Sequence, residues 1–187
     1  MTTGISAIRS ACPAVAIPAG TGDITLFDPP GSKDANAIDV VASMTNVRST
    51  CSDSGENIVS TATFEVRALR RDATGDRDVA LPYFGTVVQG GSNVVSKSIG
   101  HVGLHFANGE LRASTSGSAT AQVLRTAANL PEDIRAEVTR ERKPGEADAA
   151  VDPMADPRVR AAVQRASFEL LVGFQLTPDQ LAYNATR

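Results

Sequence analysis

IVSTATFEVRAL, residues 58–69, carries the clearest period-two pattern in the chain. Ile58, Ala62, Phe64, Val66 and Ala68, with Ser60 among them, fall on one side of the alternation, and Thr61, Thr63, Glu65 and Arg67 on the other. Side chains alternate across a strand, so the pattern predicts a half-buried antiparallel strand. Upstream, Ala14–Ile17, Ile24–Phe27 and Ile38–Val47 are short apolar runs separated by Gly20, Gly22 and the Pro29, Pro30, Gly31 break, which is strand-and-turn chemistry. Downstream, the polar segment RRDATGDRD over 70–78 is expected to be a hairpin connection to a strand over 79–88, where Pro82 suggests an edge or a bulge. Gly90, Gly91 and Ser92 turn the chain into Val94–Ile99 and Val102–Phe106, and Asn108 with Gly109 predicts a further hairpin turn. Leu111–Leu124 is a long alternating run of small residues, expected to bend or bulge near Gly117.

Beyond residue 125 the period changes. Asn129 with Pro131, Glu132 and Asp133 predicts a short helix carrying Ile134 and Val138, and residues 143–156 read as a Pro, Gly, Asp and Ala-rich linker. Asp156 and Pro157 open what the pattern makes the best helix, to about Val172, with Val159, Ala162, Val163, Ala166, Leu170 and Phe174 as its stripe. Thr177 and Pro178 begin a last short helix with Leu181 and Tyr183. The expected fold class is mainly β with C-terminal helices. It comprises an antiparallel β-sandwich resembling immunoglobulin or fibronectin domains over residues 1–125, with a helical extension over 126–187 packed on it. The Trp that marks antibody-type domains is absent.

Composition narrows the function classes. The chain has 187 residues, 42% apolar and 21% charged, and no stretch approaches the ~18 apolar residues of a membrane-spanning helix. Residues 1–125 carry ten basic and eleven acidic groups and residues 126–187 eight and ten, so no basic footprint for nucleic acid exists. With no Trp, two Tyr and six Phe, aromatic platforms for glycans or single-stranded nucleic acid are also lacking.

Cys12 and Cys51 are the only cysteines, and neither has metal-ligand spacing. Both lie in the strand-rich half, so they are expected to form a disulfide, which an oxidising envelope compartment permits. The MTTGISAIRSA segment before Cys12 superficially looks like a lipoprotein cleavage site, but Arg9 interrupts a segment holding only Ile5, Ala7 and Ile8. A signal peptide needs an apolar core of at least ~7 residues, so an export signal is expected upstream of this start or already removed.

The remaining motifs favour bland readings. His101 and His105 sit four strand residues apart, about 13 Å, too far to ligate one ion. Asp72, Gly75, Asp76 and Asp78 lack the calcium-loop spacing and its distal Glu. Ser96 and Lys97 do not form S-x-x-K, no G-x-S-x-G elbow is present, and GTGD at Gly20 and GGSN at Gly90 read as turns. Asp23 with Asp28, or Asp34 with Asp39, would act as acid and base only if the fold joined them. Asn184, Ala185 and Thr186 form a glycosylation sequon of a length that arises by chance. No catalytic, metal or cofactor residue is expected.

Cys12 with Pro13, the strand ending at Cys51, LPYF at 81–84, VSKSIG at 95–100 and the ending GFQLTPDQLAYNATR together resemble a family of uncharacterised alphaproteobacterial envelope proteins described as lipoproteins. The resemblance implies a secretory signal with a lipid-bearing cysteine, neither visible in this sequence. The expected role is therefore a non-enzymatic protein of the periplasm or outer membrane, structural or protein-binding, with envelope proteins as partners. The alternative is a small periplasmic hydrolase or ligand-binding protein with a site near His101 and His105.

Overall fold

The computed structural model describes residues 10–187. The interrupted apolar segment of Ile5, Ala7, Ile8 and Arg9 lies outside the described residues. The chain is mainly β, in two four-stranded sheets with helices near its C-terminus. The first sheet has the order β1 (Ala14–Ala16), β8 (Phe168–Phe174), β5 (Arg77–Gln89), β6 (Asn93–Phe106). The second has the order β2 (Asp23–Phe27), β3 (Ile38–Ser52), β4 (Asn57–Arg70), β7 (Arg112–Leu124). All pairings are antiparallel except that of β1 with β8.

β4 bears out the alternation that identified it. Ile58, Ser60, Ala62, Phe64, Val66 and Ala68 are buried, and they join Leu81, Leu104, Phe106, Leu170 and Phe174 of the first sheet in one core. Gly117 is not a bulge: β7 pairs with β4 through Gly117 opposite Phe64 without a register shift. The ring of Phe64 occupies the space a side chain would need, since a Cβ built at Gly117 would lie 2.5 Å from Phe64 Cζ. Val94–Ile99 and Val102–Phe106 are one continuous strand, joined to β5 by a true hairpin whose Gly90 and Gly91 have φ of 64° and 85°.

Two of the expected hairpins are instead crossings between sheets. The 70–78 segment leads from β4 in the second sheet to β5 in the first, and the Asn108–Gly109 turn leads from β6 back to β7 in the second. The reason is Arg70, which is 2% exposed. Its Nε donates to the carbonyl of Glu110 at 2.7 Å and its Nη2 to those of Ala73 and Ala107 at 2.9 Å each, with the guanidinium 5.2 Å from the centre of the Phe106 ring. The two crossings are also laced directly: Gly75 N–H donates to Asn108 Oδ1 and Asn108 N–H to Asp76 Oδ1. Arg77 at the start of β5 grips Asp39 of β3 with both guanidinium nitrogens, at 2.7 and 2.6 Å. That hydrogen-bonded grip holds the Asp39 carboxyl below the usual carboxylate range and raises the pKa of Arg77.

Pro82 sits in a central strand, between β8 and β6. It is tolerated because its carbonyl, and hence its N side, faces past the β8 ladder: pairing with β8 begins at Tyr83, and Pro82 O accepts only from Gln175 N–H.

The largest departure lies in the C-terminal third. α1 (Arg125–Ala128) and α2 (Glu132–Thr139) follow β7, and α3 (Pro157–Arg165) begins on an Asp156 side chain that accepts from Arg158 N–H. Ile134, Val159 and Ala162 form a small satellite core. α3 stops at Arg165, however, and residues 168–174 are β8, not the end of a helix. Phe168, Leu170, Val172 and Phe174 alternate into the core, a period-two pattern inside the same short apolar run that also fits a helical stripe. α4 (Pro178–Thr186) opens on a capping box of Thr177 and Gln180.

Arg70→Met leaves three carbonyls of the crossings without their donor and is expected to cost about 3–5 kcal/mol by denaturant unfolding. Arg70→Lys should restore only part, since an ammonium lacks the planar fork. The Asp39–Arg77 pair sets a pH dependence. The folded pKa of Asp39 lies below its unfolded value, so below about pH 4 the unfolded chain binds more protons and stability falls as pH drops through the folded pKa. The stability gap between wild type and Arg77→Gln should be constant near neutrality and shrink below about pH 4, measured by urea midpoints across pH.

Candidate functional site

The expected disulfide is formed. Cys12 and Cys51 bond with their Cα atoms 6.2 Å apart, tying the segment just before β1 to the end of β3. A loop with a sequence separation of 39 closed in this way stabilises the fold by about 3–4 kcal/mol in the chain-entropy account. It anchors a strand of only three residues.

His101 and His105 fall on the outer face of the first sheet, opposite Pro82 and Asp78 respectively, with Gly103 between them. The fold does not converge them. His105 Nδ1 instead lies 2.7 Å from Asp78 Oδ1, an exposed cross-strand pair. Because Ala80 and Gly103 face each other with little side-chain bulk, the pair borders a shallow depression of about 420 Å³ lined also by Val79 and Leu104. Its lining offers no hydroxyl or thiol to act as a nucleophile.

The acidic candidates are dispersed among separate partners. Asp72 accepts from Thr74 N–H, which lowers its pKa, Asp76 accepts from Asn108 N–H, and Asp78 meets His105. Asp23 accepts from Ser43 Oγ at 2.5 Å and pairs with Arg187, and Asp39 is held by Arg77. Among the described residues, no three His, Cys, Asp or Glu side chains cluster as metal ligands. Asn184 of the sequon uses its Nδ2 in two 2.8 Å hydrogen bonds to the carbonyls of Gly20 and Asp23, pinning α4 to β2. Phe27 and Tyr183 meet edge to face there, 5.2 Å apart.

The feature that stands out is the first half of β6. β6 is an edge strand, and every residue from Asn93 to Ile99 is exposed, on both faces. Val94, Val95 and Ile99 are each more than half exposed, at 59%, 52% and 57%. The register shift between Val87 and Val88 brings Val94 opposite Val88, on the outer face beside Phe84 and Thr86. There Leu171 of β8 and Leu176 and Leu181 near the C-terminus complete an apolar depression of about 360 Å³. Lys97, whose Nζ lies 5.5 Å from the Phe84 ring centre, is the only charged side chain in it. By sequence VVSKSI reads as an ordinary strand, because which edge a strand occupies is decided by sheet order.

No described helix is long and apolar enough to cross a membrane. Searches against protein-family models, curated proteins and solved structures found no match to this chain.

Proposed function

We propose that this is a non-enzymatic cell-envelope protein, exported to the periplasm or outer membrane, whose work is to bind another protein by strand addition at β6. The carrying observation is the exposed apolar edge at Asn93–Ile99, since an unpaired strand edge presents a row of main-chain donors and acceptors that an added strand satisfies. Val94, Val95 and Ile99 supply exposed apolar side-chain contacts for specificity. Lys97 and the adjacent register shift restrict open-ended stacking, which favours one bound strand over aggregation.

On this reading the two sheets form an immunoglobulin- or fibronectin-like sandwich. β4 pairs with β7 and β5 with β8, each pair separated in sequence by an excursion through the other sheet, and this interleaving supports Greek-key connectivity. The Cys12–Cys51 bond supports an oxidising compartment, as does the resemblance to envelope proteins. A second reading, ligand binding beside His105, rests on the His105–Asp78 pair and its depression.

A photo-crosslinking residue at Val95 in cells that natively make the protein is expected to give one adduct of defined mass in the envelope fraction. Lys97→Pro should abolish it by removing an outward-facing main-chain donor of the edge, and the same residue at Thr61 on the second sheet should give none. Protein recovered from the cytosol with two free thiols, or an adduct indifferent to Lys97→Pro, would contradict the proposal.

A further inference from the structure

The outer face of the second sheet holds an open groove of about 960 Å³. Cross-strand register builds it in rows. Val41, Leu69 and Arg112 lie side by side across β3, β4 and β7, and the next row is Ser43, Arg67 and Ser114. Val41 and Leu69 also border a second depression of about 290 Å³ that carries the groove on to Ile38 and Arg71. Leu69, 49% exposed, is therefore an apolar floor with arginines around it.

The charges in the groove are unbalanced. Glu65 is already bonded by Asn46 and Arg67, which together lower its pKa, and Asp39 is claimed by Arg77. Arg71 and Arg112 have no carboxylate partner among the described residues. Arg70, on the buried face of β4, has only carbonyls as its hydrogen-bond acceptors and takes no part in the groove. The Arg67–Glu65 pair is exposed, and such surface pairs contribute little, so Arg67 can turn to another carboxylate.

We infer that this groove binds an extended acidic polypeptide segment with carboxylates on alternate residues and a neighbouring apolar side chain over Leu69. Arg67 and Arg112 are diagonal neighbours on β4 and β7, a separation of about 7–8 Å. Same-face side chains in an extended peptide recur every two residues, roughly 6.8 Å, so one strand can present a carboxylate to each guanidinium. Ser114, opposite Arg67 and on the same face of β7 as Arg112, offers its hydroxyl to the peptide main chain. The site is on the opposite sheet from the exposed edge of β6 and does not depend on that edge having a partner.

The test is fluorescence anisotropy with the labelled peptide GSDSDSLSG and its neutral counterpart GSNSNSLSG. The acidic peptide should bind saturably, at least tenfold more tightly than the neutral one, and binding should weaken with salt. Arg112→Gln and Arg71→Gln should each weaken it about tenfold or more while keeping the wild-type melting temperature, since both side chains are exposed. Leu69→Asp, which places a carboxylate on the floor, should abolish it, and Lys97→Gln on the other sheet should leave it unchanged. Equal binding of both peptides, no saturation, or indifference to Arg112→Gln would overturn the inference. So would arginine-dependent binding to vesicles of roughly 7:3 phosphatidylcholine and phosphatidylglycerol in place of the peptide.

Discussion

Residues 168–174 enter the first sheet between two strands that lie far away in sequence, and the fold depends on that insertion. β8 pairs in parallel with β1 through Ala14–Ala16 and antiparallel with β5 through Tyr83–Gln89. Where β1 ends, Thr21 continues the contact by accepting from Phe174 N–H. Phe168, Leu170, Val172 and Phe174 are all buried, and burying each such side chain is worth about 1.5–3 kcal/mol. Without β8 the first sheet splits, leaving β1 with no partner and β5 with a bare edge. The first and last strands thus share one sheet with β5 and β6, and β2, β3, β4 and β7 form the other.

Such an arrangement needs firm corners, and charged groups provide them. Arg70 gathers carbonyls from both crossings at one end of the sheets, and the Asp39–Arg77 pair joins β3 to β5 nearby. The disulfide holds the short β1 segment against the end of β3. The planar fork of a guanidinium donates in several directions at once, and for that reason Arg70 fixes the backbone of two turns.

Much of the β architecture was legible because half-buried strands write their burial as alternation. Ile58–Leu69 follows that rule, while the Ile24–Phe27 strand, the disulfide pair and the capped start of α3 at Asp156 were legible from turn residues, cysteine count and capping chemistry. What was not legible is tertiary. Residues 159–174 satisfy both a helical stripe and a strand alternation, and only the vacancy between β1 and β5 decides for the strand. The turns at 70–78 and 107–111 have hairpin composition, yet they cross between sheets because a buried arginine, read from sequence as an exposed loop residue, binds both. The two candidate surfaces were hidden for a similar reason, since the edge position of β6 and the rows around Leu69 exist only once strands are ordered and registered.

The central claim, that β8 is an integral strand on which the sheet depends, is tested most directly by native-state hydrogen exchange followed by mass spectrometry or NMR. Amides of Leu171 and Gly173, which face β5, should exchange only with global unfolding, at the same free energy as the central amides of β4 and β5. Exchange of 168–174 through a lower-energy opening, in step with α2 and the 143–156 connection while β4 and β5 stay protected, would contradict it.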